Sequence, residues 1–382
     1  MSEPMIYLDY AAATPVDERV LAAMRPYFEA EFYNPSAQYR AARGAGAALE
    51  TARDKVAHWL GAKSSEVIFT AGGTEANNLA IHGVMRRFPG ANLIISAIEH
   101  ESVLAPAARY DHREVVVTPD GRVDLKDLRI KIDDQTVLVS IMYANNEIGT
   151  VQPIHEIGQI ITEIRRQRLA DGNDLPLYFH ADAAQAANYL DLHVARLGVD
   201  LLTLNGGKIY GPKQSGCLYV KAGVELTPLI DGGGQERGLR SGTENVAAAV
   251  GFAEAVNIAQ KMRREETARL QTLQKQFING VEKGLPDAII NGSLKFRLPN
   301  NVHLTLPGQD NERLLIELDE AGIMAAAGSA CSASSEESSH VLHALGLDDA
   351  AARASLRFTM GRSTTSEMID KTTKAISQLA KA

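Results

Sequence analysis

Asp200-Leu-Leu-Thr-Leu-Asn-Gly-Gly-Lys-Ile-Tyr-Gly-Pro-Lys213 is the stretch that decides how this chain folds. Asp200 to Leu204 is short and mostly apolar, as a core strand is, and the two glycines behind it call for a tight turn at the strand's end. Lys208 therefore stands just past a buried strand. Held in a dry cleft, its ammonium is destabilised and the neutral amine can condense with an aldehyde. Held in water, it is an ordinary loop lysine. The stretch alone leaves both readings open, and the choice rests on what the flanking sequence brings to the same place.

The chain has 382 residues, enough for two domains or for one large α/β domain with a smaller companion. A formal net charge of -8 and the lack of any Lys/Arg-rich block argue against direct nucleic-acid contact. No apolar run approaches the roughly 18 residues of a membrane span. The N-terminus also lacks the charged start and apolar stretch of a signal peptide, so the expected location is the cytoplasm. Two cysteines, Cys217 and Cys331, occur without a CxxC pair. That fits a reducing compartment and excludes a cysteine-based zinc site; no metal is expected.

Outward from Lys208 toward the N-terminus, strands alternate with helices, which predicts a parallel sheet. The expected strands are Glu66 to Thr70, Asn92 to Ser96, Glu114 to Val117, Thr136 to Met142 and a run from Leu177. Helices are expected near Val103 to Arg109, Asp124 to Ile132 and Pro153 to Arg168. Open sheets of this kind bind ligands beyond the carboxyl ends of their strands. There stand Ala71-Gly-Gly-Thr-Glu-Ala-Asn-Asn78, Glu99-His100, Asn145-Asn146-Glu147 and Asp182 with Gln185. Gly73 and Thr74, at the start of a helix running toward Arg87, form either a phosphate site or a plain helix cap. Asp182 either caps a turn or pairs with a pyridinium N-H, which would keep such a ring electron-withdrawing.

The ends of the chain carry further candidates. Ile6 to Pro15 reads as a lead-in arm, and Asp17 to Ala30 has helical spacing. Asn34, in the turn-rich Tyr33-Asn-Pro-Ser36, either caps a helix or touches a ligand; the next helix is expected over Ala47 to Leu60. Cys217, between small and apolar residues of the strand Gly216 to Val220, reads as an inert core thiol. Asp231 to Asn245 is a glycine-rich loop with two arginines, open to phosphate binding or to completing a second subunit's site, and it leads into a helix starting near Glu244. From about Arg264 a second long helix begins a smaller unit that includes a strand around Val302 to Leu306, a helix Asn311 to Ala321 and a final helix Thr364 to Ala380. Within it, Cys331 lies at the root of a small, serine-rich stretch from which a thiol can serve first a cofactor and then a partner. Arg357, on the strand Ser355 to Met360, suits a substrate carboxylate or an ion pair.

Taken together, Tyr7-Leu-Asp-Tyr, Gly73-Thr-Glu, Glu99-His100, Asn145-Asn-Glu-Ile-Gly149, His180-Ala-Asp-Ala-Ala-Gln185, Lys208-Ile-Tyr-Gly-Pro-Lys, Arg240-Ser-Gly-Thr-Glu-Asn, Gly328-Ser-Ala-Cys and Leu356-Arg-Phe resemble one family. It is the NifS/IscS-type cysteine desulfurases, class V aminotransferases among the fold type I pyridoxal phosphate enzymes. The resemblance covers nearly the whole chain. It implies an α/β fold with a mainly parallel seven-stranded sheet in a large domain (15–260), a smaller α+β C-terminal domain (261–382), and an arm (1–14) packing on the latter. It implies pyridoxal 5'-phosphate as cofactor, L-cysteine as substrate, and release of L-alanine with a persulfide on Cys331. Sulfur-acceptor proteins, either iron-sulfur scaffolds or RNA/DNA thiolation enzymes, are the implied partners, and the implied assembly is a homodimer.

By the same resemblance Lys208 holds the cofactor, His100 stacks on its ring and moves protons, Asp182 meets the ring nitrogen, and Gln185 meets the ring hydroxyl. Gly73 and Thr74 cradle the phosphate, which Thr243 reaches from the neighbouring subunit; Asn205, where the family has serine, is expected to donate to it through its amide. Asn146 and Arg357 hold the substrate carboxylate, with Asn34 a further substrate contact. Selenocysteine lyase is the enzymatic rival, and a cofactor-binding docking scaffold without turnover is the rival from another class. Two departures stand out. The family usually has Ser-Gly-His before the lysine, where this chain has Asn205-Gly-Gly207, and commonly histidine where Tyr39 stands; the second departure has no physical explanation here.

Overall fold

The computed structural model describes residues 5–328 and 338–381. The strands, in chain order, are β1 (Ile6–Tyr7), β2 (Val67–Thr70), β3 (Asn92–Ser96), β4 (His112–Val115), β5 (Thr136–Ser140), β6 (Tyr178–Asp182), β7 (Leu201–Asn205), β8 (Gly216–Val220), β9 (Ile289–Ile290), β10 (Asn301–Thr305), β11 (Ile323–Met324) and β12 (Ser355–Thr359). Seven of them form one sheet in the order β2-β8-β7-β6-β5-β3-β4. β8 runs antiparallel to both of its neighbours, and the remaining neighbour pairs are parallel. The mainly parallel seven-stranded sheet expected from the sequence is therefore present.

β3 and β5 are buried at every position, as strands covered on both faces must be. Alternation along β3 sends Ile94 into one apolar cluster and Leu93 and Ile95 into another. The first cluster takes Val56 and Leu60 from helix α1 (Arg40–Leu60); the second takes Leu79, Ala80 and Val84 from helix α2 (Gly73–Arg87). β12, β10 and β9 form a separate antiparallel sheet in that order, with its own core of Leu304, Leu356, Phe358 and Ile369. β1 pairs in parallel with β11, and Leu8 enters this second core.

One helix departs from the sequence expectation. The helices expected from near Glu244 and from Arg264 are a single element, α3 (Val246–Gly284), of 39 residues. The run Lys261-Met-Arg-Arg-Glu-Glu266, which looks like a boundary, consists of strong helix formers and holds no breaker. α3 places Phe252 and Val256 in the first core and Leu270, Phe277 and Val281 in the second. Among the described residues no helix is long and apolar enough to cross a membrane.

Candidate active site

The parallel strands β2, β3, β5, β6 and β7 end at one edge of the large sheet, and the turns after them build one cleft. Its walls include Gly73, Thr74, Asn77, His100, Ser102, Asn146, Asp182, Gln185, Asn205, Lys208 and Arg357, a concave site with a few convergent polar groups, as small-molecule sites have. Nine of the residues singled out from sequence thus meet in one place.

Lys208 closes a short 3-10 turn, Gly206–Lys208, that Asn205 caps by accepting from the Gly207 N-H at 3.2 Å. Gly206 must be glycine, since a Cβ there would lie 2.1 Å from Ser215 Oγ. The Lys208 Nζ donates to the carbonyls of Ala11 and Ala12 at 2.9 and 2.6 Å, so the half-buried amine is fixed by the N-terminal segment. Gln185 Nε2 donates to the same Ala11 carbonyl at 3.0 Å. Sequence reading missed these two alanines because a backbone carbonyl leaves no signature in side-chain identity.

Asp182, at the end of β6, is buried and held at both carboxylate oxygens. One carboxylate oxygen accepts from the Ala184 N-H at 2.9 Å and the other from Asn77 Nδ2 at 2.7 Å. Asn77 was also missed, although an asparagine among the apolar positions of α2 signals a buried polar group in need of partners. Behind the cleft, Glu99 accepts from Ser96 Oγ and the Met142 N-H; burial, reinforced by the Asp182 charge, pushes its carboxyl up to about 8. His180, between Ser140 and Thr203, is driven by burial down to about 4 and is neutral near pH 7.

The anion-binding end lies at the start of α2. Gly72 takes φ 123° to turn the chain, a conformation that favours glycine. A Cβ on Gly73 would stand 3.4 Å from Asn205 Nδ2, so the Asn205 amide faces the first turn of this 15-residue helix. Since its oxygen is committed to the Gly207 N-H, the Asn205 amide can only turn its NH2 toward an anion held there. At Gly207 a Cβ would meet nothing nearer than 3.7 Å, so the position accepts a side chain.

At the opposite end, Arg357 is buried, donates to Asp9 Oδ1 at 2.7 Å and to the Asn146 carbonyl at 3.1 Å, and keeps its Nε without a protein partner among the described residues. Asn77 Oδ1 is likewise unpartnered. A buried charge and amide with unused hydrogen-bonding capacity, opposite a lysine amine and a helix N-terminus, suit a ligand carrying carboxylate, aromatic nitrogen and phosphate together.

Two predicted residues among the described ones are not brought to this cleft. Asn34 is exposed and accepts from the Ser36 N-H at 2.9 Å, which closes a local turn; the next helix has Tyr39 at its N-cap, so Asn34 does not cap it. Thr243 lines a neighbouring cavity with Phe69, Gly216, Glu236 and Arg240. Cys331 lies outside the described residues. The chain on either side of residues 329–337 is tied to the site: Ala326 pairs with Arg357, Ser339 Oγ donates to Glu147 Oε2 at 2.6 Å, and His340 Nε2 meets the Glu99 carbonyl at 2.9 Å. Cys217 is buried and its thiol is pushed far up by burial, which makes it unreactive. Among the described residues no cluster of His, Cys, Asp or Glu suits a metal.

The chain matches the model of the aminotransferase class-V family over residues 6–371. It is 41% identical over 381 residues to the cysteine desulfurase IscS of Dictyoglomus turgidum, covering 98% of this chain and 94% of that one. A NifS-like protein of known structure superposes with a TM-score of 0.89 at 32% identity, covering 98% of each chain. SspA, solved in complex with cysteine, superposes with a TM-score of 0.80 at 36% identity over 93% of this chain and 98% of that one.

Proposed function

Since the chain belongs to the aminotransferase class-V family, whose members depend on pyridoxal phosphate, we propose that it is a cysteine desulfurase, releasing L-alanine from L-cysteine and retaining the sulfur for transfer. The observation that carries this reading is the convergence of Lys208 Nζ, Asp182 and Arg357 on one cleft. The bound cofactor supplies an aldehyde that captures the substrate amine and a ring that withdraws electrons from the bonds around it.

The chain's residues do the rest. Asp182, fixed by Ala184 and Asn77, holds the proton on the ring nitrogen, and Gln185 meets the ring hydroxyl. Gly73, Thr74 and Asn205 receive the phosphate, and Thr243 of a second copy completes that end, which makes the working form a homodimer. Arg357 and Asn146 hold the substrate carboxylate. Lys208 would hold the cofactor through Nζ, and its free amine would take the α-proton at Nζ and return a proton to the carbon skeleton. The Cys331 thiolate attacks the substrate sulfur: an S-S bond forms, the C-S bond breaks, and the carbon side leaves as alanine once protonated. The persulfide then passes to an acceptor protein of iron-sulfur assembly or of nucleic-acid thiolation, and the reading places the enzyme in the cytoplasm. It also keeps the division into an arm (1–14), a large unit (15–260) and a small unit (261–382).

The test is alanine release from L-cysteine by cofactor-loaded protein with a reductant present, alongside mass spectrometry of Cys331. Wild type should release alanine and gain one sulfur on Cys331. Cys331→Ser should keep the cofactor's visible band, form no persulfide and lose at least about a hundredfold in rate. Full turnover by Cys331→Ser would remove that residue from the mechanism, and turnover of selenocysteine alone would favour the lyase.

Gly207→His tests the cradle separately. A ring there adds the phosphate donor this chain lacks, and retention of cofactor through gel filtration should improve, by on the order of 1 to 3 kcal/mol in affinity. Unchanged retention would mean that Asn205 and the backbone already satisfy the phosphate.

A further inference from the structure

Asp182 and His100 belong to one directed hydrogen-bond chain. Asn77 Nδ2 donates to Asp182 Oδ2 at 2.7 Å and to Ser102 Oγ at 2.9 Å. Ser102 Oγ lies 2.8 Å from His100 Nδ1, and the Ser102 backbone N-H donates to the same nitrogen at 3.0 Å. A peptide N-H can only donate, so His100 Nδ1 carries a lone pair and the ring's proton sits on Nε2. A serine hydroxyl has one proton; accepting from Asn77, it gives that proton to Nδ1. Asn77 cannot be flipped, because its oxygen would then face the Asp182 carboxylate. Every proton in the chain therefore has one consistent position, and the Asp182 charge fixes the orientation of Asn77.

We infer that Asn77 and Ser102 are positioning residues that couple Asp182 to His100: the Ser102 N-H keeps the His100 proton on Nε2, and the Asn77 amide and Ser102 hydroxyl hold the ring so that the histidine meets the substrate as a hydrogen-bond donor. The inference deepens the desulfurase reading and rests on it for the identity of the substrate. The hydrogen-bond chain itself, Asp182 to Asn77 to Ser102 to His100, stands on the geometry alone. Neither residue was selected from sequence. Asn77 is nearly all buried, and Ser102 occupies the first turn of the short helix Glu101–Ala107.

The test uses the cofactor-loaded protein and two readouts. In protein labelled with 15N-histidine, the His100 signals, assigned by their loss in His100→Gln, should report an unprotonated Nδ1 and a protonated Nε2. In kinetics, Asn77→Ala and Ser102→Ala should each lower kcat about tenfold with KM for L-cysteine within about threefold, and the double variant should be no worse than Asn77→Ala alone. Ser102→Thr, which restores the hydroxyl, should recover most of the rate. A His100 proton on Nδ1 in wild type, or single effects that multiply in the double variant, would overturn the inference. Failure of wild type to release alanine would refute the desulfurase reading instead, leaving the tautomer measurement to decide the hydrogen-bond chain.

Discussion

Lys208→Ala should lower alanine release from L-cysteine by roughly 10⁴-fold, the upper end of what one positioned acid-base group contributes. The amine has two tasks that no neighbour can assume. In the proposed mechanism it attaches the cofactor and carries the α-proton, and its Nζ is positioned by the Ala11 and Ala12 carbonyls. Borohydride reduction followed by mass spectrometry separates the tasks: wild type should gain the reduced cofactor on the peptide containing Lys208, and the variant should not. The Asp182 and Arg357 ends of the cleft stay intact in the variant, so noncovalent cofactor binding should persist. A variant that turns over at near the wild-type rate would show that another amine is the base.

The second large effect is on stability and lies away from the chemistry. Arg53 on α1 and Glu236 are both almost fully buried, and the guanidinium donates to both carboxylate oxygens at 2.7 and 2.9 Å. Glu236 also accepts the Phe69 N-H at 2.8 Å, tying the loop before α3 to the edge strand β2. Its backbone is held at φ 46° and that of Arg237 at φ 59°, conformations that persist only where side-chain contacts enforce them. Glu236→Ala would leave the buried Arg53 charge with only the more exposed Glu50 carboxylate, at 3.1 Å from its Nε, as an ionic partner, and it should cost about 3 kcal/mol in urea unfolding. Adding Arg53→Met should recover much of that loss, since the second change removes the buried charge that Glu50 alone leaves poorly compensated. Equal stability of the wild type and Glu236→Ala would mean that the buried pair contributes nothing net.

The contrast between these sites explains what the sequence could convey. Strand ends such as Asp182 and Asn205 were legible because an apolar run followed by glycine and polar residues marks both the element and its edge. The sheet followed from the alternation around them. Asn77 and Ser102 were not legible in the same way: each lies within a helix, and its role depends on which face of that helix meets β6 or His100. The Ala11 and Ala12 carbonyls carry no side-chain chemistry at all. The continuity of α3 was hidden by its charged middle, which resembles a linker in composition and is a helix by propensity. Thr243 differs again, since its proposed role belongs to an assembly of two chains, and one chain's geometry leaves it beside a different cavity.

That continuous helix also acts as a measuring rod. Lys208 is attached to the core entered by Phe252, and Arg357 to the core entered by Phe277, both on α3. No glycine or proline interrupts the helix from Phe252 to Asn279. The span between the amine and the group proposed to grip the substrate carboxylate is therefore calibrated in helical turns. A single residue added between Phe252 and Phe277 would advance the second core by about 1.5 Å and turn it by about 100° relative to the first. The chain can tolerate many changes of composition along this rod far more readily than one change of its length.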